Sequence, residues 1–484
     1  MPEFSKLSSC LNLLTNIFAS AFDSQVLIIN MSKNIKLKRG FDINLVGKAE
    51  KKFTELAQPE TFAIKPTDFP HIIGPKLLVA EGDTVKAGSP LFFEKTMDTV
   101  MFCAPVSGEI VEIKRGAKRR LLEIKILADK QVESAQFKKF SASDLNGISR
   151  DEVISHISAH GAWPQIIQRP YGIVANPATT PKAIFISGFD SHPNAPDMAF
   201  ILQDKEAYFQ TGLTVLSKLT DGDIHLTLSA KEEVPSVFGS VSGIKVNKIS
   251  GPHPAGNVGV QIHHILPIGK GDLIWTVTPY GVAQIGKLFA EGIHDASKIV
   301  AITGSEVNEP SYIRTYTGAC TNKVAEGMIK SGRNRLISGN VLTGESVGRD
   351  GYMGFYHNQV SVIPEGDYEE FFGWLAPSAK KLSFYRTLGM FSFLNRKQQH
   401  VVDTNQHGEH RNFVVTGAFE EVMPMDVLPM YLFKAIMAED FENMEALGIF
   451  ELVEEDVALC EFIDVSKHPL QDILREGIEL VRNS

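Results

Sequence analysis

Residues 77–95 read LLVAEGDTVKAGSPLFFEK, and residues 100–116, just beyond, read VMFCAPVSGEIVEIKRG. Both stretches alternate apolar and polar residues, and both carry a tight-turn signal, Gly82-Asp83 in the first and Ser107-Gly108 in the second. Alternation of period two, interrupted by such turns, specifies short paired strands. Moving outward, the pattern changes between about 145 and 295. Strand candidates AIFISGF (183–189), DIHLTLSA (223–230), IKVNKISG (244–251) and LIWTVTP (273–279) alternate with helix candidates at 197–219 and 281–292. In the second helix Val282, Ile285, Leu288 and Phe289 share one face. Such alternation predicts a parallel or mixed sheet covered by helices, a Rossmann-like layer. Short strands return at 299–307, 311–318, 335–344 and 360–366, and beyond about 370 the chain is predicted to be mostly helical, punctuated by Pro424, Pro429 and Pro469.

Composition bounds what this architecture can do. A chain of 484 residues holds three to four domains, and 43% hydrophobic with 22% charged residues is ordinary for a globular protein. A net charge of −9 argues against a nucleic-acid partner, which needs a basic face to displace counterions. The densest cationic group, Lys114, Arg115, Lys118, Arg119 and Arg120, falls on a hairpin-like turn and not on a membrane-surface helix. Cys10, Cys103, Cys320 and Cys460 are too far apart for a CxxC metal site or a disulfide framework, which fits a reducing compartment. No run of 18 apolar residues exists, so membrane attachment is expected to go through partners. The apolar stretch 9–22 reads poorly as a signal peptide. Residues 1–30 are read as a non-native or disordered extension, with a natural start at Met31.

The pattern EGDxVxxGxPL followed by APxxGxIxEI resembles the barrel-sandwich hybrid of biotinyl and lipoyl carrier domains. Those carriers attach their group to a lysine at the tip between the halves. Here the tip reads Glu94-Lys95-Thr96-Met97-Asp98, with Met97 at the expected position and Lys95 off register. The resemblance therefore implies a structural domain with no covalent cofactor. The segment 299–319, IVAITGSEVNEPSYIRTYTGA, resembles a ubiquitin-like β-grasp module of the soluble-ligand-binding type. The expected fold is α/β multidomain: extension 1–30, lipoyl-like barrel-sandwich hybrid 31–140, Rossmann-like α/β domain 141–296, β-grasp domain 297–368 and helical domain 369–484.

Taken together, the chain resembles the A-subunit family of bacterial Na+-translocating NADH:quinone oxidoreductases (Na+-NQR). That family is related to the C subunit of the Rnf complex and to the NADH-binding flavoprotein subunit of complex I. The residues that carry the likeness include KRGFDINLVG (38–47), APVSGEIVEIKRGAKRRLLEI (104–124) and QRPYGIVANPATTPKAIFISGFDSHPNAPD (168–197). They continue through GPHPAGNVGVQIHHILPI (251–268), DTNQHGEHRNFVVTG (403–417), EEVMPMDVLPMYLFKAI (420–436) and ALGIFELVEEDVALCEFIDVSK (446–467).

The departures from the flavoprotein relatives matter as much. Their glycine-rich loop lets backbone N–H groups approach phosphates. The stretch matching it here, SAHGAWPQIIQRP (158–170), keeps only Gly161, and Trp163 comes two residues later. Their acidic turn is matched by Asp190-Ser191-His192-Pro193, with one acid left. VMPMDVLP (422–429) stands where a cysteine run would bind an iron–sulfur cluster, leaving Cys460 as a small buried residue. The resemblance thus implies that NADH, FAD, FMN, riboflavin and Fe–S chemistry belong to partner subunits.

His263 and His264 are read on a strand, facing opposite sides, and His407 with His410 lack the spacing of a zinc site. Glu454-Glu455-Asp456 reads as a charge group at a helix N-terminus. No catalytic or metal-binding residue is expected. The family's association with quinone makes Phe69, His71 and His253 candidate contacts; core packing competes for Phe69, and a structural turn competes for His253. The function implied is that of a peripheral component on the cytoplasmic face of the inner membrane. It would assemble with the membrane-embedded B subunit and with the C subunit in an enzyme coupling NADH oxidation and quinone reduction to Na+ export. A complex I-like NADH dehydrogenase flavoprotein and a purely structural scaffold are the alternatives.

Overall fold

The computed structural model describes residues 31–371 and 398–484, apart from 240 and 349, together with Leu382 and Phe384. The expected extension 1–30 lies outside the described residues. Strand β1 (Met31–Lys36) precedes a compact β unit made of β2 (Thr61–Ile64), β3 (Pro75–Leu77), β4 (Thr84–Val85), β5 (Pro90–Glu94), β6 (Met97–Cys103), β7 (Gly108–Arg115) and β8 (Leu121–Ala128). These seven form two sheets, β2-β8-β7-β4 and β3-β5-β6. Their inward residues, among them Phe62, Leu91, Phe102, Ile110 and Ile124, are buried in one core, and Phe92 stacks on Phe102 at 4.5 Å. Glu94 pairs with Met97, so the turn consists of Lys95 and Thr96 alone. This corrects the expected tip: a two-residue turn closes earlier than the five-residue tip, so exposed Lys95 stands on it and Met97 begins β6.

The next layer is a seven-stranded sheet. Its members are β1, β9 (Ile166–Arg169), β10 (Ile173–Val174), β11 (Ala183–Ser187), β12 (Ile224–Ser229), β13 (Lys245–Ser250) and β14 (Ile274–Val277), in the order β1-β13-β12-β11-β14-β9-β10. The run from β1 to β14 is parallel, while β9 and β10 are antiparallel additions. Sequence groups β1 with the β unit; its parallel pairing with β13 places it instead at the edge of this sheet. The covering helices are α1 (Arg150–Ala159), α2 (Glu206–Leu216), α3 (Val258–Ile265) and α4 (Pro279–Glu291). The predicted face of α4 is buried throughout: Val282, Ile285, Leu288 and Phe289. It crosses α2 at a glycine contact, where a Cβ on Gly212 would stand 2.0 Å from the Val282 carbonyl and one on Gly286 1.8 Å from that of Tyr208. Only two bare backbones fit there. The helix expected over 197–219 breaks at Asp204, whose φ is 63°, into Met198–Ile201 and α2.

Beyond it, β15 (Ser297–Thr303), β16 (Ser311–Tyr316), β17 (Asn334–Ser338), β18 (Glu345–Ser346) and β19 (Gln359–Pro364) form a mixed sheet, β16-β15-β19-β17-β18. The helical end includes α5 (Pro429–Met437), α6 (Glu454–Ile463) and α7 (Leu470–Asn483). Its core of Phe433, Leu459, Leu474 and Ile478 is shared with Leu37, Ile43 and Ile249 of the sheet edge. Among the described residues no helix is long and apolar enough to cross a membrane.

Candidate functional site

Two regions hold the residues that sequence singled out. The first is a cleft of about 660 Å³ between the β unit's hairpin β7–β8 and the segment 67–76. Lys65 anchors that segment: almost fully buried, it pairs with Asp68 at 3.1 Å and Glu345 at 2.7 Å. Asp68 in turn accepts the Phe355 amide at 2.9 Å. Phe69 then points into an aromatic cluster, 4.6 Å from Phe102, 4.8 Å from Phe355 and 5.9 Å from Tyr356. The residue is 2% exposed, so Phe69 is a wall of the cleft held by core packing.

His71 comes next in the left-handed region, φ 71°, and lines the same cleft. The Arg482 guanidinium of α7 donates to its Nδ1, and Glu479 lies 3.4 Å away. Partial burial and the adjacent Arg482 charge keep its imidazole below the ordinary range. A neutral ring accepting at Nδ1 carries its proton on Nε2. The remaining lining is strongly basic: Lys76, Lys95, Arg115, Lys118, Arg119 and Arg120. None of the described lining residues is acidic.

The second region is the seam between the α/β sheet and the helical end, and it contains His253, which is not part of the cleft lining. Asp42 accepts the His253 backbone amide at 2.8 Å, and Ser191 Oγ lies 2.9 Å from its Nδ1. The Gly256 amide donates to Ser191 Oγ at 2.8 Å, so of the two His253 ring nitrogens Nδ1 is engaged with the serine and the other is Nε2. That Nε2 is buried and has no partner among the described residues, as is Nε2 of His192, whose ring centroid is 4.7 Å away. Burial, reinforced by the neighbouring His192, pushes the His253 pKa down to about 3. His192 goes the other way: burial opposes its charge, but the Asp190 carboxylate, 2.6 Å from Nδ1, more than offsets this.

Beneath these histidines, Arg169 at the end of β9 inserts into the first turn of α6. It binds Asp456 at 2.7 Å and Glu455 at 2.5 Å with its side chain 3% exposed. Burial works against the guanidinium charge; the two carboxylates outweigh it and the net shift is upward. Arg475 of α7 takes the third acid, Glu454, at 2.7 Å and donates to the Tyr171 carbonyl at 2.8 Å. The acidic triplet read as a macrodipole group is therefore also the receptor for two arginines, which sequence spacing could not reveal because Arg169 lies far away along the chain and Arg475 on another helix.

α3 seats on this pair through Gly259, where a Cβ would lie 2.5 Å from Arg169 Nη1 and from both Asp456 oxygens. This corrects the strand reading of His263 and His264. The alternation VGVQI favours a strand locally, but tertiary packing over Arg169 imposes a helix. The two rings end that helix, His263 Nδ1 2.8 Å from Glu451 and His264 Nε2 2.8 Å from the Pro424 carbonyl. His407 and His410 also diverge, toward Asp403 and the Lys467 carbonyl respectively. Among the described residues no three metal-ligating side chains converge.

The loop 158–170 is packed shut. Trp163 is fully buried, donates its indole N–H to the Ala175 carbonyl at 2.7 Å and meets Trp275 edge-on. Gly161, φ 77°, would place a Cβ 2.7 Å from Cys103 Cβ, so its lack of a side chain seats the loop on β6. Trp163 to Gln165 form a single 3-10 turn that leads into strand β9, so no α-helix starts there. Cys460 is buried, and burial pushes its thiol pKa up.

Against known proteins, three family models match in register. They are the NqrA N-terminal barrel-sandwich hybrid domain over 35–129, the NqrA second alpha/beta domain over 148–294 and the NQRA C-terminal domain over 299–348. The A subunit of the Na(+)-translocating NADH-quinone reductase of Yersinia pestis bv. Antiqua is 37% identical over 91% of this chain and 98% of its own length. That of Alcanivorax borkumensis is 35% identical over 92% and 99%, and that of Neisseria meningitidis serogroup A 36% over 92% and 99%. A solved NAD+-reducing [NiFe]-hydrogenase in the air-oxidized state aligns at TM-score 0.36 with 12% identity, over 73% of this chain and 67% of that one, too loosely to carry an argument.

Proposed function

Since the chain belongs to the A-subunit family of Na(+)-translocating NADH-quinone reductases, we propose that it is the peripheral subunit of such a reductase. It sits on the cytoplasmic face of the inner membrane, held there by the membrane-embedded B subunit and by the C subunit. The β unit is a lipoyl-like domain, the seven-stranded layer a Rossmann-like domain and the sheet at 297–364 a β-grasp module. The observation that carries the reading is identity spread over 98% of the Yersinia relative's length.

Electrons travel through the flavins and iron–sulfur centre of partner subunits. The packing of Trp163 into the place of a phosphate cradle supports this. Quinone contact is assigned to His71, whose Nε2–H can donate to a quinone carbonyl over the wall formed by Phe69; His253, buried at the seam, lies outside this cleft. Gentle extraction from native membranes, followed by purification on this chain, is expected to bring hydrophobic subunits with it; recovery of the chain alone would overturn the assignment. The flavoprotein reading predicts a yellow preparation instead of a colourless one. Equilibrium binding of a short-chain quinone, weakened in His71→Ala, separates a quinone-binding role from that of a pure scaffold.

A further inference from the structure

The cleft holds more charge than a quinone needs. Lys76 and Lys95 come from one sheet of the β unit and Arg115, Lys118, Arg119 and Arg120 from the hairpin of the other, so six cations surround one hollow in a chain whose net charge is −9. Elsewhere several cations of this chain meet acids, as Lys125 meets Glu112, Lys138 meets Glu152 and Arg335 meets Glu365. In the cleft, among the described residues, none of the six has a carboxylate partner; Arg115 reaches only the Arg119 carbonyl, at 3.2 Å. Two acids lie behind this lining: Glu479 is already shared by Arg475, Arg482 and His71, and buried Glu94 accepts the Gly74 amide at 2.9 Å.

The backbone makes the same point independently. The hairpin turns through Gly116 and Arg120, with Lys118 at φ 52° and Arg119 at φ 63°. Two successive left-handed residues are the natural place for glycine or asparagine. This chain places a lysine and an arginine there, so both side chains are carried to the mouth of the cleft against the local preference. The floor is apolar, with Ile72 and Leu121 among the lining.

We infer that this cleft binds the phosphate groups of an amphiphilic or ring-bearing ligand, with the guanidinium forks and ammonium groups on the oxyanions and the apolar floor under the remainder. Six exposed like charges around one hollow favour a multivalent anion, and planar guanidinium groups match phosphate oxygens in pairs. The volume is that of a small-molecule site. A phospholipid headgroup and a soluble phosphate ester share this chemistry. The inference does not depend on quinone binding, because its ligand is recognised by charge.

The test uses the full chain and inorganic pyrophosphate as probe, by calorimetry at low and high salt. Saturable binding that weakens with salt is expected. Arg119→Glu with Arg120→Glu lowers the affinity at least about ten-fold. Lys76→Glu, on a different sheet, does likewise, so a disturbed hairpin cannot account for the loss. Lys48→Glu, an exposed cation outside the cleft, leaves binding unchanged. Sedimentation with phosphatidylcholine vesicles, with and without phosphatidylglycerol, distinguishes the sources. Binding to the anionic vesicles alone, competed by pyrophosphate, identifies a headgroup; pyrophosphate binding without vesicle binding identifies a soluble ester. Absence of saturable binding to both probes at low salt, or an equal loss in Lys48→Glu, overturns the inference. Short-chain quinone binding that survives the charge reversals leaves the quinone assignment standing whichever way this result falls.

Discussion

The seam and the cleft use the same side chains to opposite ends. At the seam, Arg169 and Arg475 meet the three carboxylates of a single helical turn, Glu454 to Asp456, and the Arg169 pair is a buried contact that joins the α/β sheet to the helical end. At the cleft six cations face one another with no acid among the described lining. The fold supplied counter-charges in one place and withheld them in the other. An arginine is a structural tie where its acids are built in and a binding group where they are left for a ligand to bring.

The largest effect is expected where the tie is cut. Arg169→Ala strands two carboxylates against a protein interior and should lower stability by about 3–5 kcal/mol, since breaking a buried pair leaves an uncompensated charge. Thermal unfolding should show the loss, first in the helical end. A change below about 1 kcal/mol would mean that the seam is as solvated as the cleft, and the contrast would fail.

A second effect depends on pH. His253 titrates near 6.5 when unfolded and is held down to about 3 when folded, first by burial and then by the neighbouring His192. Between those values the unfolded chain binds a proton that the native chain refuses. Stability therefore falls as pH drops below about 6.5, by about 1.4 kcal/mol per pH unit from this group. His253→Asn should remove that share of the slope, so urea midpoints of variant and parent converge on acidification from about pH 6 to about pH 4. Parallel curves would place the His253 ring in water.

How far sequence reached follows the same division. The β unit, the alternating α/β layer and the buried face of α4 were legible because each rests on local periodicity and nearby turns. The elements that sequence misplaced depended on distant contacts. β1 belongs to the α/β sheet because its partner β13 lies far along the chain, and α3 is a helix because Gly259 must clear Arg169. The candidate site was split by the fold: Phe69 and His71 share the cleft, while His253 sits at the seam. The basic hairpin was visible as composition, but its meaning required Lys76 and Lys95 to arrive from another sheet. The arginine ties of the acidic triplet left no local trace at all.

The smallest effect sharpens the comparison most, because it should run against intuition. If the hairpin cations serve a ligand, the turn is not optimised for folding. Lys118 occupies a left-handed conformation that is unfavourable for a residue with a Cβ by about 1–2 kcal/mol, and it stands among like charges. Lys118→Gly removes both strains, though a glycine gains freedom in the unfolded chain, so the net gain should be about 0.5–1 kcal/mol, read as a raised Tm. The same substitution should weaken pyrophosphate binding. A seam arginine replaced in this way would lose stability; a cleft cation should exchange binding for stability. Loss of stability in Lys118→Gly would show that the hairpin, too, is held by its own charges, and would erase the distinction between the two regions.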